Sequence, residues 1–253
     1  MFRSRKKKQA PDAVLEDDML VVVDRAVHPF VVLVHDPNGY RAEQVRAVRN
    51  KLIAMNPDGT SKSLVVTSAI RGEGKSVTAI NLALAFAEFE RTPTLLVDGD
   101  LRGSSIERYL HLPQGPGLSD VLMGRVPLDR AIRRLEYRDL AVLGAGSKLG
   151  GPSEIITAPR IQDLFDRLKE QFHYVIVDTP PALPATDASV MAARADGCLL
   201  VVRLEHSSRT LTKEAVRNLQ DLGANMLGTF VSQVRGHDPE ADPRLCDSSS
   251  EDH

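Results

Sequence analysis

The stretch Ala69-Ile-Arg-Gly-Glu-Gly-Lys-Ser76 limits the possible folds of this chain more than any other. It follows an apolar run, Leu64-Val-Val-Thr67, and precedes residues 77–90, whose apolar spacing predicts an amphipathic helix. A strand, a glycine-rich turn ending in Gly-Lys-Ser and a helix form the order that a phosphate-binding loop requires. Gly72 and Gly74 let backbone N–H groups turn inward around an anion. The new helix adds its own unpaired N–H groups and the positive end of its dipole. Lys75 is expected to reach the β- and γ-phosphates of ATP, and the Ser76 hydroxyl to bind Mg²⁺. The expected cradle is Arg71, Gly72, Glu73, Gly74, Lys75, Ser76 and Val77, with Arg71 directing a positive charge at the phosphates. Ala69, a small residue, replaces the usual first glycine. A flexible turn before a helix N-terminus is the plainer alternative for this stretch alone.

Two acidic stations sharpen the site. Residues 94–98 form an apolar run ending at Asp98, followed by Gly99, Asp100, Leu101 and Arg102. Residues 174–178 form another, ending at Asp178 before Thr179, Pro180 and Pro181. In an open parallel sheet the strand C-termini share one edge, and ligands bind there. Asp98, Asp100 and Asp178 are therefore expected to converge on the bound phosphates. Ser76, Asp98 and Asp178 are the expected Mg²⁺ ligands, partly through water. Any one of these acids alone reads equally well as a turn or helix cap.

With these residues the chain resembles the bacterial tyrosine kinases, which control capsule and exopolysaccharide assembly. The resemblance rests on the Gly-Glu-Gly-Lys-Ser loop, on Asp98-x-Asp100-x-Arg102 and on Val177-Asp178-Thr179-Pro180-Pro181. Glu43, Arg46 and Arg49 match that family's E-x-x-R-x-x-R oligomerisation motif. Asn81-Leu-Ala83, Gly117-Leu-Ser119, Pro152-Ser-Glu154 and Asp187-Ala188 fit the pattern as well, so that it spans roughly residues 37–234. The MinD/ParA-type ATPases share the fold, but their signature lysine would fall at Ile70, and this chain lacks it.

The resemblance implies an α/β fold, a single P-loop NTPase domain with a mostly parallel sheet and helices on both faces. It implies ATP and Mg²⁺, a homo-oligomer held through Glu43, Arg46 and Arg49, and a protein tyrosine as substrate. It also implies recruitment by the cytoplasmic segment of a membrane polysaccharide co-polymerase. Lys75, Asp98, Asp100 and Asp178 become the catalytic set. Asp98 would accept the tyrosine proton beside the metal, and Asp178 would support Mg²⁺ through water. Arg102 either completes that edge or pairs with Asp100.

Composition bounds the remaining possibilities. A net charge of −2 gives no global pull toward nucleic acid. With 42% apolar residues the chain can bury a full core. No apolar run approaches the ~20 residues that span a bilayer. Residues 1–8 lack the apolar region of a secretory signal. Cys198 and Cys246 give neither a disulfide framework nor a metal spacing, and Cys198 is expected to be an inert core residue. These features point to the bacterial cytoplasm. The basic cluster Arg3, Arg5, Lys6, Lys7 and Lys8 is either a solvated tail or a contact to anionic lipid at the inner face of the membrane. The expected division is a disordered basic tail (1–18), a P-loop domain (19–234) and a disordered acidic tail (235–253).

Leu20-Val-Val-Val23 and Val31-Val-Leu-Val34 read as strands flanking Pro29. Residues 41–54 read as a helix with Val45, Val48 and Leu52 on one face and Glu43, Arg46 and Arg49 on another. Those charges form either an interface or a solvated i,i+3 pair. Helices are expected over 118–123, 128–135, 161–172, 188–195 and 211–222, and strands over 140–143, 198–202 and 226–231. Residues 144–151 read as a mobile glycine-rich loop near the site.

The chain departs from the family in its tyrosines. Tyr40, Tyr109, Tyr137 and Tyr174 are the only four, and residues 175–253 contain none. The family usually carries a tyrosine-rich C-terminal tail that neighbouring subunits phosphorylate. Tyr174, before a core strand, is expected to be buried. Ser232 stands where the wider ATPase group often has an asparagine that reads adenine. Three functions fit: a kinase acting on tyrosines in trans, an ATPase switch regulating a polysaccharide co-polymerase, and a non-catalytic nucleotide-binding relic. Intact Lys75, Ser76, Asp98, Asp100 and Asp178 argue against the relic.

Overall fold

The computed structural model describes residues 20–21, 27–148 and 151–232. The expected tails at 1–18 and 235–253, with the basic cluster and Cys246, lie outside the described residues. In chain order the elements are β1 (Leu20–Val21), α1 (Val32–His35), α2 (Tyr40–Ala54), β2 (Lys62–Ser68), α3 (Lys75–Phe86) and β3 (Thr94–Asp98). Then come α4 (Ile106–Tyr109), α5 (Leu118–Leu122), α6 (Leu128–Ala131), β4 (Ile132–Leu135), β5 (Leu140–Leu143) and α7 (Ala158–Gln171). The last are β6 (Tyr174–Asp178), α8 (Thr186–Ala192), β7 (Gly197–Arg203), α9 (Arg209–Asp221) and β8 (Met226–Ser232).

The strands form one sheet in the order β1-β4-β5-β3-β6-β2-β7-β8, parallel throughout except for the β4–β5 pair. Strand side chains alternate between faces, so strands that are apolar on both sides feed two cores. In β2, Val65 enters one core with Val97, Phe165 and Leu200, beneath α5 to α9. Leu64 and Val66 enter the other with Ile80, Leu96 and Phe86, beneath α1 to α4. The expected α/β domain with helices on both faces is therefore what forms. Helix α7 illustrates the cause: Ile161, Leu164, Phe165 and Leu168 recur on one face, and that stripe is the part it buries. Each such side chain contributes about 1.5–3 kcal/mol through burial.

Three local expectations are corrected. Val31-Val-Leu-Val34 is not a strand; it enters helix α1. Asn81 on α3 takes its backbone groups, accepting the Leu33 N–H (3.3 Å) and donating to the Phe30 carbonyl (2.8 Å), so no sheet edge is needed. The helix expected over 128–135 stops at Ala131, and Ile132–Leu135 becomes a strand antiparallel to β5. The glycine-rich segment is pinned as far as Ser147. The Gly144 carbonyl accepts the Leu118 N–H (2.7 Å), and Asp120 accepts the Ser147 N–H (3.1 Å). A Cβ on Gly117 would lie 2.2 Å from the Gly144 oxygen, so this approach demands glycine. Residues 149–150 lie outside the described residues. Cys198 is buried in β7, and burial pushes its thiol up to about 12, which leaves it inert.

Candidate active site

Strands β3, β6 and β2 are parallel neighbours, so their C-terminal ends deliver residues to one edge. Asp98 and Asp178 are paired across β3 and β6, and Asp178 is paired with Val66 of β2. The chain leaves β2 at Ser68 and turns into α3. Gly72 (φ 84°) and Gly74 (φ 94°) occupy the left-handed region at this turn, where a side chain would be strained. The Thr78 N–H to Gly74 carbonyl bond (2.9 Å) opens the helical ladder. The N–H groups of Lys75, Ser76 and Val77 lie ahead of it, at the positive end of a twelve-residue helix.

The charges meet as expected. Lys75 Nζ donates to Asp100 Oδ2 (3.1 Å) and to Ser76 Oγ (3.3 Å), and lies 3.7 Å from Asp178 Oδ1. Burial opposes the Lys75 charge, but Asp178 and Asp100 outweigh it and raise its pKa. Asp100 is fixed by the Gly103 N–H on its second oxygen (2.9 Å). Asp98 is fully buried and serves backbone donors. One oxygen accepts the Asp100 N–H (3.2 Å), and the other accepts the N–H groups of Ser105 (3.0 Å) and Ile106 (3.1 Å). Burial, followed by repulsion from Asp178, pushes the Asp98 carboxyl up to about 7. Burial pushes Asp178 up to about 6 against the pull of Lys75. Both Asp178 oxygens are buried and lack a hydrogen-bond partner. An orphaned carboxylate beside a lysine and a helix N-terminus is chemically suited to a hard cation and the phosphates it accompanies.

Other expected site residues fall into different roles. The Glu73 side chain points into its own loop, accepting the Ile70 N–H (3.0 Å) and the Ser207 hydroxyl. Arg71 is exposed, and His206 Nε2 lies 3.4 Å from its carbonyl oxygen. Arg203 donates to the Gly72 carbonyl (3.1 Å), and the Ser232 hydroxyl to the Glu73 carbonyl (2.8 Å). No local pattern announces this clasp, because its partners lie more than 130 residues away along the chain. Ser232, the expected adenine-side position, thus supports the loop itself. Arg102 does not pair with Asp100. It donates to Asp187 Oδ2 (3.1 Å) and to Ser153 Oγ (2.7 Å), and Ser153 in turn donates to Asp187 Oδ1 (2.8 Å).

Glu43 is exposed and forms the expected i,i+3 pair with Arg46, but Arg46 and Arg49 also turn inward. Arg46 donates to both Glu88 oxygens (2.8 and 2.6 Å) and to the Pro37 carbonyl (2.7 Å), and it also pairs with Glu43. Arg49 is only 6% exposed. It donates to the Ala85 carbonyl (2.8 Å) and to Glu88 (2.9 Å), and its guanidinium lies 4.3 Å from the centre of the Phe89 ring. Burial alone would raise the Glu88 carboxyl, but the Arg46 hydrogen bonds prevail and hold it below the usual range. These arginines fasten α2 to the end of α3.

A family model described as an AAA domain matches residues 61–226. The chain is 30% identical over 202 residues to the putative tyrosine-protein kinase CapB of Staphylococcus aureus, covering 79% of this chain and 88% of that one. It is 32% identical over 208 residues to the tyrosine-protein kinase YwqD of Bacillus subtilis, covering 80% and 87%. Among solved structures, the chimerical protein CapA2B2 superposes with a TM-score of 0.75 at 31% identity, over 84% of this chain and 92% of that one. The kinase domain of the Escherichia coli tyrosine kinase ETK gives 0.76 at 26% identity, over 84% and 88%. The MinD protein of Pyrococcus horikoshii, solved with Mg-ADP, gives 0.60 at 24% identity over 68% and 70%, a likeness of fold.

Proposed function

The chain belongs to the bacterial tyrosine-protein kinases, and on that premise we propose how its residues divide the work and where it acts. It is a P-loop enzyme that uses ATP with Mg²⁺. Phosphoryl transfer needs positioning and charge neutralisation more than covalent help. Lys75 neutralises the β/γ-phosphate oxygens, and Asp100 holds its ammonium in line. The N–H groups from Gly72 to Val77 cradle the phosphates. The Ser76 hydroxyl and the Asp178 carboxylate would hold Mg²⁺, which would spread the charge of the transferring group. Asp98 keeps the loop to Ile106 closed and takes the tyrosine hydroxyl proton on its carboxylate. A group titrating near neutrality is well matched to that duty.

The observation that carries this reading is the buried Asp178 carboxylate, which pairs with Lys75 at 3.7 Å at the start of α3 and has spare oxygen acceptor capacity. The names of the relatives support a role in capsule or exopolysaccharide synthesis or export. We place the chain at the cytoplasmic face of the membrane, as a homo-oligomer bound by the cytoplasmic segment of a polysaccharide co-polymerase. No described helix is long and apolar enough to cross a membrane. The expected protein partners do not include nucleic acid. The lack of tyrosine in residues 175–253 favours a second reading, an ATPase switch acting on that co-polymerase without tyrosine transfer.

Radiolabelled ATP, Mg²⁺ and a glutamate–tyrosine copolymer separate the two. Labelled polymer with wild type but not with Lys75→Ala is the expected result. ADP release without labelled tyrosine selects the switch, and neither product would exclude both.

A further inference from the structure

The four tyrosines differ sharply in access. Tyr174 is 4% exposed, and its ring stacks on Phe86. Tyr137 packs against the core beneath α1 to α4, and burial raises its hydroxyl pKa. Tyr109 packs against the same core, with its ring 4.6 Å from that of His28. Tyr40 is 36% exposed and has no hydrogen-bond partner among the described residues. It opens α2 directly after the turn at 36–39, so it projects from a corner of the fold. The helical ladder there begins with the Glu43 N–H to Gly39 carbonyl bond (3.2 Å), so the N–H groups of Tyr40 and the next two residues have no intrahelical partner.

Tyr40 is also remote from its own phosphate loop. Arg46 joins the Pro37 carbonyl to Glu88, which places the start of α2 beside Glu88. Glu88 lies just past the last residue of α3, whereas Lys75 is its first. At 1.5 Å per residue that separation is about 20 Å along the helix. No side chain spans it.

We propose that Tyr40 is the phospho-acceptor within this chain, and that it is phosphorylated by a second copy. The inference rests on the kinase reading above. The Tyr40 oxygen attacks the γ-phosphorus of ATP held by the other copy, and a new O–P bond forms. The bond to the β–γ bridging oxygen breaks, ADP leaves with its electron pair, and the tyrosine proton passes to a carboxylate of that site. The product carries close to two negative charges at the mouth of α2, next to Arg41 and Glu43.

The test mixes two full-length chains that differ in an affinity tag. Lys75→Ala serves as acceptor only, and Tyr40→Phe as enzyme only. With Mg²⁺–ATP, phosphotyrosine is expected at position 40 of the Lys75→Ala chain and at no position of either chain incubated alone. Tyr40→Phe should label a glutamate–tyrosine copolymer as fast as wild type. If the copolymer is labelled but position 40 is not, or if Tyr109, Tyr137 or Tyr174 carries the phosphate, the proposal is overturned while the kinase reading stands. Label on Lys75→Ala at Tyr40 without the second chain overturns the transfer between copies. No label on copolymer or chain overturns the kinase reading, and this proposal with it.

Discussion

Replacing Asp98 with asparagine should stabilise the nucleotide-free protein while destroying its turnover. In the folded chain the Asp98 carboxyl titrates at about 7 instead of 3.8, chiefly because it is buried. At 1.36 kcal/mol per pH unit, ionising it in place costs on the order of 4 kcal/mol. Asp178 is its neighbour across β3 and β6, so the cost belongs to the pair. The sign follows from proton counting. Between about pH 4 and 7 the folded state holds a proton that the unfolded chain releases, so stability falls as pH rises through that window. Asparagine removes the charge and keeps one oxygen for Ser105 and Ile106. Its NH₂ then faces the Asp100 N–H, a donor against a donor, at a cost of about 1–2 kcal/mol. At pH 8 the variant should therefore be more stable by roughly 2 kcal/mol. At pH 5 the wild type has lost only about 1.6 kcal/mol, so the two should be nearly equal in stability. Urea titrations followed by circular dichroism, with a chelator present, measure both differences. Equal destabilisation at both pH values would show that Asp98 is not strained by its charge and would remove the basis for its role as proton acceptor.

Lys75→Ala should weaken Mg²⁺–ADP binding by about 2 kcal/mol, because one charged donor to the phosphates is lost; equal calorimetric affinity would refute the site. Arg49→Ala should cost about 2 kcal/mol in thermal or urea unfolding, because the Ala85 carbonyl and Glu88 each lose a charged donor while Arg46 still holds both Glu88 oxygens. Arg49→Lys should recover only part of this: one ammonium can stand in for Nη1 on Ala85 and Glu88, but it cannot also replace the Nε and Nη2 bonds to Asn50. The double variant Arg46→Ala/Arg49→Ala should lower the assembled mass in light scattering, by freeing α2 from α3. Removing residues 236–253 should leave tyrosine phosphorylation unchanged, because the segment contains no acceptor; mass spectrometry detects any loss.

What the sequence made legible was local. A strand, a Gly-Lys-Ser turn and an apolar run ending in aspartate each carry their signal within a few residues. That is why the sequence alone brings Lys75, Asp98, Asp100 and Asp178 to one edge. Residues 128–135 misled because apolar side chains at 128, 131, 132 and 135 fit one helical face, yet equally fit a helical turn followed by a strand. Val31-Val-Leu-Val34 misled because its β-branched residues suit a strand, while Asn81, 48 residues from Leu33, decides otherwise. Arg46 and Arg49 read as an interface or a solvated pair because the acid that holds them, Glu88, lies 42 and 39 residues away. Arg102 found Asp187 across 85 residues. No periodicity announces such pairs.

The hydroxyl of Ser232 on the Glu73 carbonyl spans 159 residues of chain. The family pattern matched here ends at residue 226, six residues earlier. An intact phosphate-loop motif is thus necessary but not sufficient for a working site. As the polypeptide is synthesised from its N-terminus, the loop exists long before its last brace. A mutation that frays β8 would silence the enzyme while every signature residue stayed in place, and such a loss would be invisible to any comparison confined to the motif.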